Sequence, residues 1–327
     1  MGEEQERRLG PTRSRRRRTV ASAALVAGLV AGLAGCAGGR PAGTPATSGV
    51  GLPAPTAEPV HQGPTVLAAG DVASCDGSGD EQTAALLDRL PGTILVLGDT
   101  VYDEASTKQL ERCYRPSWGR HLDRTRPVPG NHDYDGKGAS GYFDYFGPRA
   151  GERGQGWYSF DVGEWHLIAL NSNCSAIGGC GPGSEQARWL RADLAAHPAR
   201  CTLAFWHHPR FSSGAKHGSS RAVDGLWSGL LDAGADVVLS GHEHSFERFA
   251  PLDVEGRVDQ AGGIRQFVVG TGGRSHYPFG SPIAGSEARL SGSFGVLQLT
   301  LGPEGYDWRF ETAQGGPPAD SGSATCH

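Results

Sequence analysis

Long apolar runs are missing from this sequence of 327 residues, and so is any surplus of positive charge. The stretch that comes nearest to a membrane span, Thr19–Gly35, has 17 residues and lies directly behind a basic segment, Arg7–Arg18. A bilayer span needs about 20 predominantly apolar residues, so this pattern reads as an export signal and not as a transmembrane helix. No segment repeats at the period of a solenoid and no cysteine pair has metal-finger spacing, which sets aside repeat arrays and zinc-finger modules. Lysine is scarce, three against 27 arginines, a bias of composition. The formal charge is −5; without residues 1–35, which hold seven arginines and three glutamates, 23 basic and 32 acidic residues remain, formally −9. An acidic chain of this kind is a poor partner for a polyanion, so a nucleic-acid polymer is excluded as the main ligand.

What is present agrees with export. Leu33-Ala34-Gly35-Cys36 resembles a bacterial lipobox, in which the cysteine is lipidated after cleavage. The alternative is an ordinary small-residue cleavage site with an incidental cysteine. Arg15–Arg18 also gives a weak match to a twin-arginine signal. The expected organisation is a signal peptide of lipoprotein type over 1–35, a lipidated Cys36 with a disordered Gly/Pro/Ala tether over 36–62, and one catalytic domain over 63–327. The expected location is an outward-facing membrane lipoprotein or the secreted medium, and the expected state is a monomer. Six cysteines remain once Cys36 is set aside, an even number that suits disulfides in an exported chain. Six allow 15 pairings, so the sequence does not fix the pattern. The set expected is Cys75–Cys113, Cys174–Cys180, which closes a short Gly-rich loop, and Cys201–Cys326, which ties down the C-terminal tail.

Beyond the tether, short continuous apolar runs alternate with helical patterns. Thr65–Ala69, Thr93–Leu97, Trp165–Leu170, Thr202–Trp206 and Asp236–Leu239 suit strands buried on both faces. Between them Asp80–Leu90, Ser184–His197, with Ser184 as N-cap, and Ser219–Ala233 place apolar residues at helical spacing. The C-terminal third turns to strands with few helices: Phe246–Leu252, Ile264–Val269 and Phe294–Thr300. The expected fold class is therefore α/β, a four-layer α/β/β/α sandwich of two mixed sheets flanked by helices. A single doubly wound sheet would need more helices near the C-terminus.

The strand ends share one chemistry. Gly70-Asp71, Gly98-Asp99, Gly130-Asn131-His132-Asp133, His207-His208-Pro209 and Gly241-His242-Glu243-His244 each follow an apolar run. In α/β folds the carboxyl ends of strands carry the site. Carboxylates that bridge two cations and imidazoles that fill terminal positions are the ingredients of a two-metal centre, which clamps a phosphoryl group and acidifies water. His242 and His244 are two apart and would point the same way on an extended segment.

As an ordered set these motifs resemble the calcineurin-like metallophosphoesterase superfamily, over residues 65–250. The resemblance implies that Asp71 and His244 bind one metal, that Asp99 bridges both, and that Asn131, His207 and His242 bind the second. It implies that Asn131 and His132 also meet the substrate, with His132 protonating the leaving group or holding phosphate. Many members carry a ligating histidine two residues after the first aspartate; here that position is Ala73. Instead Tyr102 stands three residues after Asp99, as in the purple acid phosphatase branch, where that tyrosine ligates iron. Lys216-His217-Gly218 is similar to the segment that supplies a substrate-contacting histidine in small members of that branch, which makes His217 a substrate-binding and catalytic candidate.

A charge count supports the tyrosine separately. Asp71, Asp99, a Tyr102 phenolate and one hydroxide total about −4, which two divalent cations only neutralise, whereas Fe(III) with a divalent ion (Fe, Zn or Mn) leaves a net positive centre. The expected function is an exported phosphomonoesterase of purple acid phosphatase type, acting on small phosphate esters through a dinuclear centre and a metal-bound hydroxide. The alternatives are a phosphodiesterase on nucleotides or phospholipids with the same site, and a catalytically silent, lipid-anchored ligand-binding protein.

Overall fold

The computed structural model describes residues 61–327; the expected signal peptide, Cys36 and all but the last two tether residues lie outside the described residues. Fifteen strands follow one another as β1 (Thr65–Ala69), β2 (Ala73–Ser74), β3 (Thr93–Leu97), β4 (Val101–Tyr102), β5 (Thr125–Val128), β6 (Tyr158–Val162), β7 (Trp165–Ala169), β8 (Cys201–Phe205), β9 (Val237–Ser240), β10 (Phe246–Leu252), β11 (Ile264–Val269), β12 (Ser286–Leu290), β13 (Gly295–Gly302), β14 (Gly305–Thr312) and β15 (Asp320–Thr325). The α-helices are α1 (Gly79–Leu87), α2 (Thr107–Gln109), α3 (Asn131–Asp135), α4 (Ser140–Phe146), α5 (Glu185–Ala196) and α6 (Asp224–Asp232).

Two mixed sheets result. One has the order β15-β14-β13-β1-β3-β5, the other β12-β10-β11-β9-β8-β7-β6, and β2 pairs with β4 in a small ribbon of its own. In the first sheet β1, β3 and β5 are parallel; in the second β7, β8, β9 and β11 are parallel. The continuous apolar runs are explained by the division of alternate residues between two cores. Trp165, Leu167, Ala169, Leu203, Phe205, Val237 and Leu239 join the cluster that also holds Val66, Leu297 and Leu299 of the facing sheet. Their neighbours Ile168, Ala204 and Val238 instead pack with Ala187 and Leu190 of α5 and Leu226, Trp227 and Leu230 of α6. A strand covered on both faces has no polar side to alternate with. Ser184 caps α5 as expected, its hydroxyl accepting from the Ala187 N–H at 3.2 Å.

Element ends move by a few residues from expectation, and α6 is preceded by a short 3-10 turn, Arg221–Val223. The strands absent from the sequence reading include β12 (SEARL) and β15 (DSGSAT), both at sheet edges. An edge strand with one wet face carries no continuous apolar run, and its pairing, not its pattern, makes it a strand.

The three expected disulfides are all present, with Cα separations of 5.2, 5.2 and 5.5 Å. Cys201 opens β8 in one sheet and Cys326 follows β15 in the other, so the third bridge staples the two sheets across 125 residues of chain. A closed loop of that length strongly restricts the unfolded chain. Replacing Cys201 and Cys326 together by serine should lower unfolding stability by about 2–5 kcal/mol, read from chemical denaturation, with the secondary structure retained.

Candidate metal centre

The carboxyl ends of the parallel strands of both sheets meet at one point. The Gly70 N–H, after β1, donates to the Val269 carbonyl at the end of β11 (2.9 Å). His207, after β8, donates from Nδ1 to the Leu97 carbonyl at the end of β3 (2.8 Å). The backbone is forced there: among the described residues the non-glycines with positive φ are Asp71 (60°), Asp99 (49°), His242 (70°) and Ala139. Such left-handed residues cost of order 1–3 kcal/mol each and persist where the surroundings over-determine them. Three of the four are candidate ligands. Two glycines have specific reasons. Gly98 itself has φ 85°, and a Cβ on Gly130 would sit 2.1 Å from Asp99 Oδ1.

Seven side chains then converge in two groups that share Asp99. In the first, the Tyr102 hydroxyl lies 2.7 Å from Asp71 Oδ1, 2.7 Å from Asp99 Oδ2 and 3.2 Å from His244 Nε2. In the second, His207 Nε2 lies 3.1 Å from Asn131 Oδ1, 3.1 Å from His242 Nδ1 and 3.4 Å from Asp99 Oδ2. One oxygen, Asp99 Oδ2, thus touches both groups. The other, Oδ1, accepts the His132 backbone N–H at 2.9 Å, and Asp71 Oδ2 accepts that of His242 at 2.8 Å. Asp71, Asp99 and His207 are completely or almost completely buried.

Each group is a convergence of polar atoms on one centre, the Tyr102 hydroxyl in the first and His207 Nε2 in the second. Burial, and then the charges of Asp71 and Asp99, push the Tyr102 phenol well above its ordinary range. Burial opposes a charged His207, but Asp99 beside it outweighs this and raises the ring to about 9. Burial likewise acts to raise Asp99, yet His207, then His132 and Tyr102, hold it below the ordinary carboxylate value. Burial and the neighbouring His207 and His208 depress His242. Buried carboxylates, imidazole lone pairs, an amide oxygen and a phenol around two points suit two cations. The outer contacts match: His207 Nδ1 is committed to a carbonyl, and His244 Nδ1 lies 2.7 Å from Ser275 Oγ. Both rings therefore turn Nε2 inward, the usual device for orienting a ligating histidine.

One local expectation needs correction. His242 and His244 do not lie on an extended segment; the positive φ at His242 turns the chain, and His242 joins the His207 group and His244 the Tyr102 group, the division that the family resemblance implied. Asp133 is buried between two of the candidate ligand loops. Its carboxylate accepts from the Gly130 N–H (2.7 Å) and from the Thr100 hydroxyl and N–H (2.5 and 3.2 Å), locking the two ligand loops together. His132 lies with its ring 4.4 Å from Tyr102 and its Nδ1 2.6 Å from the Asp103 carbonyl. The exposed His217 ring stands 4.1 Å from His242.

Several residues at the site escaped sequence reading. His208, beside His207, rests 4.4 Å from the His242 ring; burial and then His207 lower it to about 3. Arg274 places its guanidinium 4.9 Å from the Tyr102 ring centre, and Tyr277 stacks on His244 at 3.9 Å. Buried Glu243 accepts the N–H groups of His217 and Gly218, both at 2.5 Å, and buried Glu247 accepts that of Ser213 at 2.8 Å. These two acids pin the loop that carries His217. Only Glu243, inside Gly241–His244, lay within a motif visible in the sequence.

The fold and the site together define the class: the chain belongs to the calcineurin-like phosphoesterase family, whose family model matches residues 64–246. Within that class its curated relatives include purple acid phosphatases. It is 26% identical over 199 residues to purple acid phosphatase 15 of Arabidopsis thaliana, which is 50% of this chain and 37% of that protein. It is 32% identical over 126 residues to purple acid phosphatase 22 of the same plant, 36% of this chain and 27% of that protein. The matched stretches therefore span about a third of these relatives. The purple acid phosphatase PPD1 of yellow lupin shares the fold, with a TM-score of 0.63 and 17% identity over 81% of this chain and 54% of that one.

Gly130→Ala should disrupt this centre first, because neither Asp99 Oδ1 nor the Asp99 N–H, 2.4 Å from the added Cβ, has room to yield. Overpacking of this kind costs about 1–3 kcal/mol, and thermal unfolding of the variant against a Gly136→Ala control, where nothing lies within 4 Å, measures it.

Proposed function

We propose that this chain is an exported, metal-dependent phosphomonoesterase of purple acid phosphatase type, with a dinuclear centre. The observation that carries the reading is the Tyr102 hydroxyl held 2.7 Å from both Asp71 and Asp99, which are buried carboxylates. Asp71, Tyr102 and His244 would hold one cation, taken as Fe(III) for its match to a phenolate. Asn131, His207 and His242 would hold a divalent ion (Fe, Zn or Mn), and Asp99 would bridge the two. When bound, the pair supplies positive charge to a phosphoryl group and lowers the pKa of the attacking water.

The protein's own groups do the rest. The interlocked turns at Asp71, Asp99 and His242 fix the donors before any ligand arrives, so little reorganisation accompanies the reaction. Asn131 and His132 contact the ester, and His132, with His217 from the pinned loop, protonates the departing alkoxide. The Arg274 guanidinium, bonded at 3.1 Å to Asp103 at the rim, adds a cation that favours an anionic substrate. Residues 1–35 act as the signal peptide, Cys36 as a lipid anchor to the membrane, 36–62 as the tether, and 63–327 as a monomeric catalytic domain. The disulfides favour an oxidising compartment.

An aryl phosphate should be hydrolysed faster than the matching bis-aryl diester, and a chelator should stop both. Metal-loaded protein that turns over neither would leave a ligand-binding protein, and a diester preference would reassign the substrate. Asp99→Asn should cut kcat/KM at least about a thousandfold, the scale of several kcal/mol of charge stabilisation. His132→Ala should cost about 10²–10⁴ in kcat with little change in metal content. Iron-loaded protein should show a visible phenolate-to-Fe(III) band that Tyr102→Phe bleaches; an iron-loaded but colourless wild type would return Tyr102 to a packing role.

A further inference from the structure

A second cluster of donors lies at the far end of the seven-stranded sheet. His166 is on β7, Asp193 is on α5 and His197 caps the C-terminus of that helix, and one ligand atom from each comes within 4.8 Å of the other two. β7 and β8 run parallel with His166 opposite Thr202, five residues before His207. At about 3.3 Å per residue the cluster is roughly 16 Å of strand away from the candidate metal centre. Nothing in the proposed phosphoesterase chemistry uses it. Of the other groupings, His207, His208 and His242 belong to the centre already described, and Cys201 and Cys326 are tied up in a disulfide.

The geometry points to a separate mononuclear site for a borderline divalent ion, of which Zn(II) is the fitting case, held by His166 Nε2, the Asp193 carboxylate and His197 Nδ1. Asp193 lies in the last turn of α5 and His197, four residues on, caps that helix with its N–H on the Asp193 carbonyl at 3.0 Å, which brings the two side chains together. His166 Nε2 lies 2.9 Å from Asp193 Oδ2, and His197 Nδ1 lies 3.3 Å from Asp193 Oδ1. Ligands about 2.0–2.1 Å from a tetrahedral ion are separated by roughly 3.3 Å, so only small side-chain shifts admit one. His197 also faces the Asp193 carbonyl at 2.9 Å and exchanges that contact for the ion.

The surroundings are those of a ligand set. His166 is buried, and its other nitrogen, Nδ1, is 2.8 Å from Asp161 Oδ1 on the paired strand, where Asp161 stands directly opposite it. A neutral imidazole has one N–H, and here both nitrogens face carboxylates. With Nδ1 facing Asp161, Nε2 is the nitrogen turned toward Asp193 and the ion. This is the carboxylate–histidine–metal relay. The Ser159 hydroxyl donates to Asp193 Oδ1 at 2.7 Å and orients the carboxylate in turn. His197 is half exposed, which gives the ion an entry path and a water for its fourth position. Two imidazoles and one carboxylate suit zinc better than a hard cation. Binding clamps α5 to β7.

Equilibrium dialysis of the full chain against Zn(II), with metal counted by mass spectrometry, tests this independently of any turnover. The wild type should bind one more equivalent than His197→Gln or His166→Gln, and Asp99→Asn should keep that equivalent. Co(II) in its place should give the visible bands of a tetrahedral site, absent from both histidine variants. Asp161→Asn should weaken this equivalent about 10–100-fold. His197 is half exposed, so its variant tests the site even if His166→Gln fails to fold. Unchanged stoichiometry in His197→Gln, or loss of every equivalent in Asp99→Asn, would overturn the site and leave a histidine held between two carboxylates.

Discussion

Two buried carboxylates that face one phenol are the constraint on which the rest of this structure turns. Asp71 and Asp99 are almost without solvent, and each has an oxygen 2.7 Å from the Tyr102 hydroxyl. Like charges so placed repel, and burial disfavours both unless positive charge or donors compensate. The compensation here is built from both sheets: backbone N–H groups of His132 and His242, the Tyr102 hydroxyl and the His207 ring. The same demand explains the left-handed backbone at three candidate ligand positions and the glycines beside them. Strain and close approach are concentrated where the charge must be held.

That centre also accounts for the architecture around it. Two sheets are needed because the donors come from both, with Asp71, Asp99 and Asn131 following β1, β3 and β5, and His207 and His242 following β8 and β9. The sandwich core keeps the sheets in register, and the Cys201–Cys326 bridge ties them at a second place. Buried Glu243 and Glu247 extend the order outward by holding the His217 loop through backbone N–H groups. A loop fixed by buried acids keeps a side chain near the centre without a strand beneath it.

Much of this was legible in the chain. The five motifs stand out because they combine an apolar run, a glycine and a donor in one order, and a strand buried on both faces leaves a continuous apolar signature. Tyr102 was legible through its spacing from Asp99 and the alanine at position 73. His208 was not, since a second histidine in His-His-Pro carries no spacing signal. Nor were Arg274 and Tyr277, which reach the centre from a loop some 200 residues after Asp71. The polar edge strands β12 and β15 lacked any pattern to read.

The sequence alone determined which residue types stand at the strand ends, and hence the kind of chemistry, because donor identity and local spacing are properties of the chain. The tertiary structure decided how they are brought into contact. It turned His242 toward His207 and His244 toward Tyr102 by one positive φ, gave Asp99 contacts on both sides, and turned Asp133 into a lock between two loops. It also brought His166 of a strand against Asp193 of a helix and His197 at that helix's end. The physical reason is that such groupings depend on which strands become neighbours, and pairing between distant segments leaves no mark in the local sequence of either one.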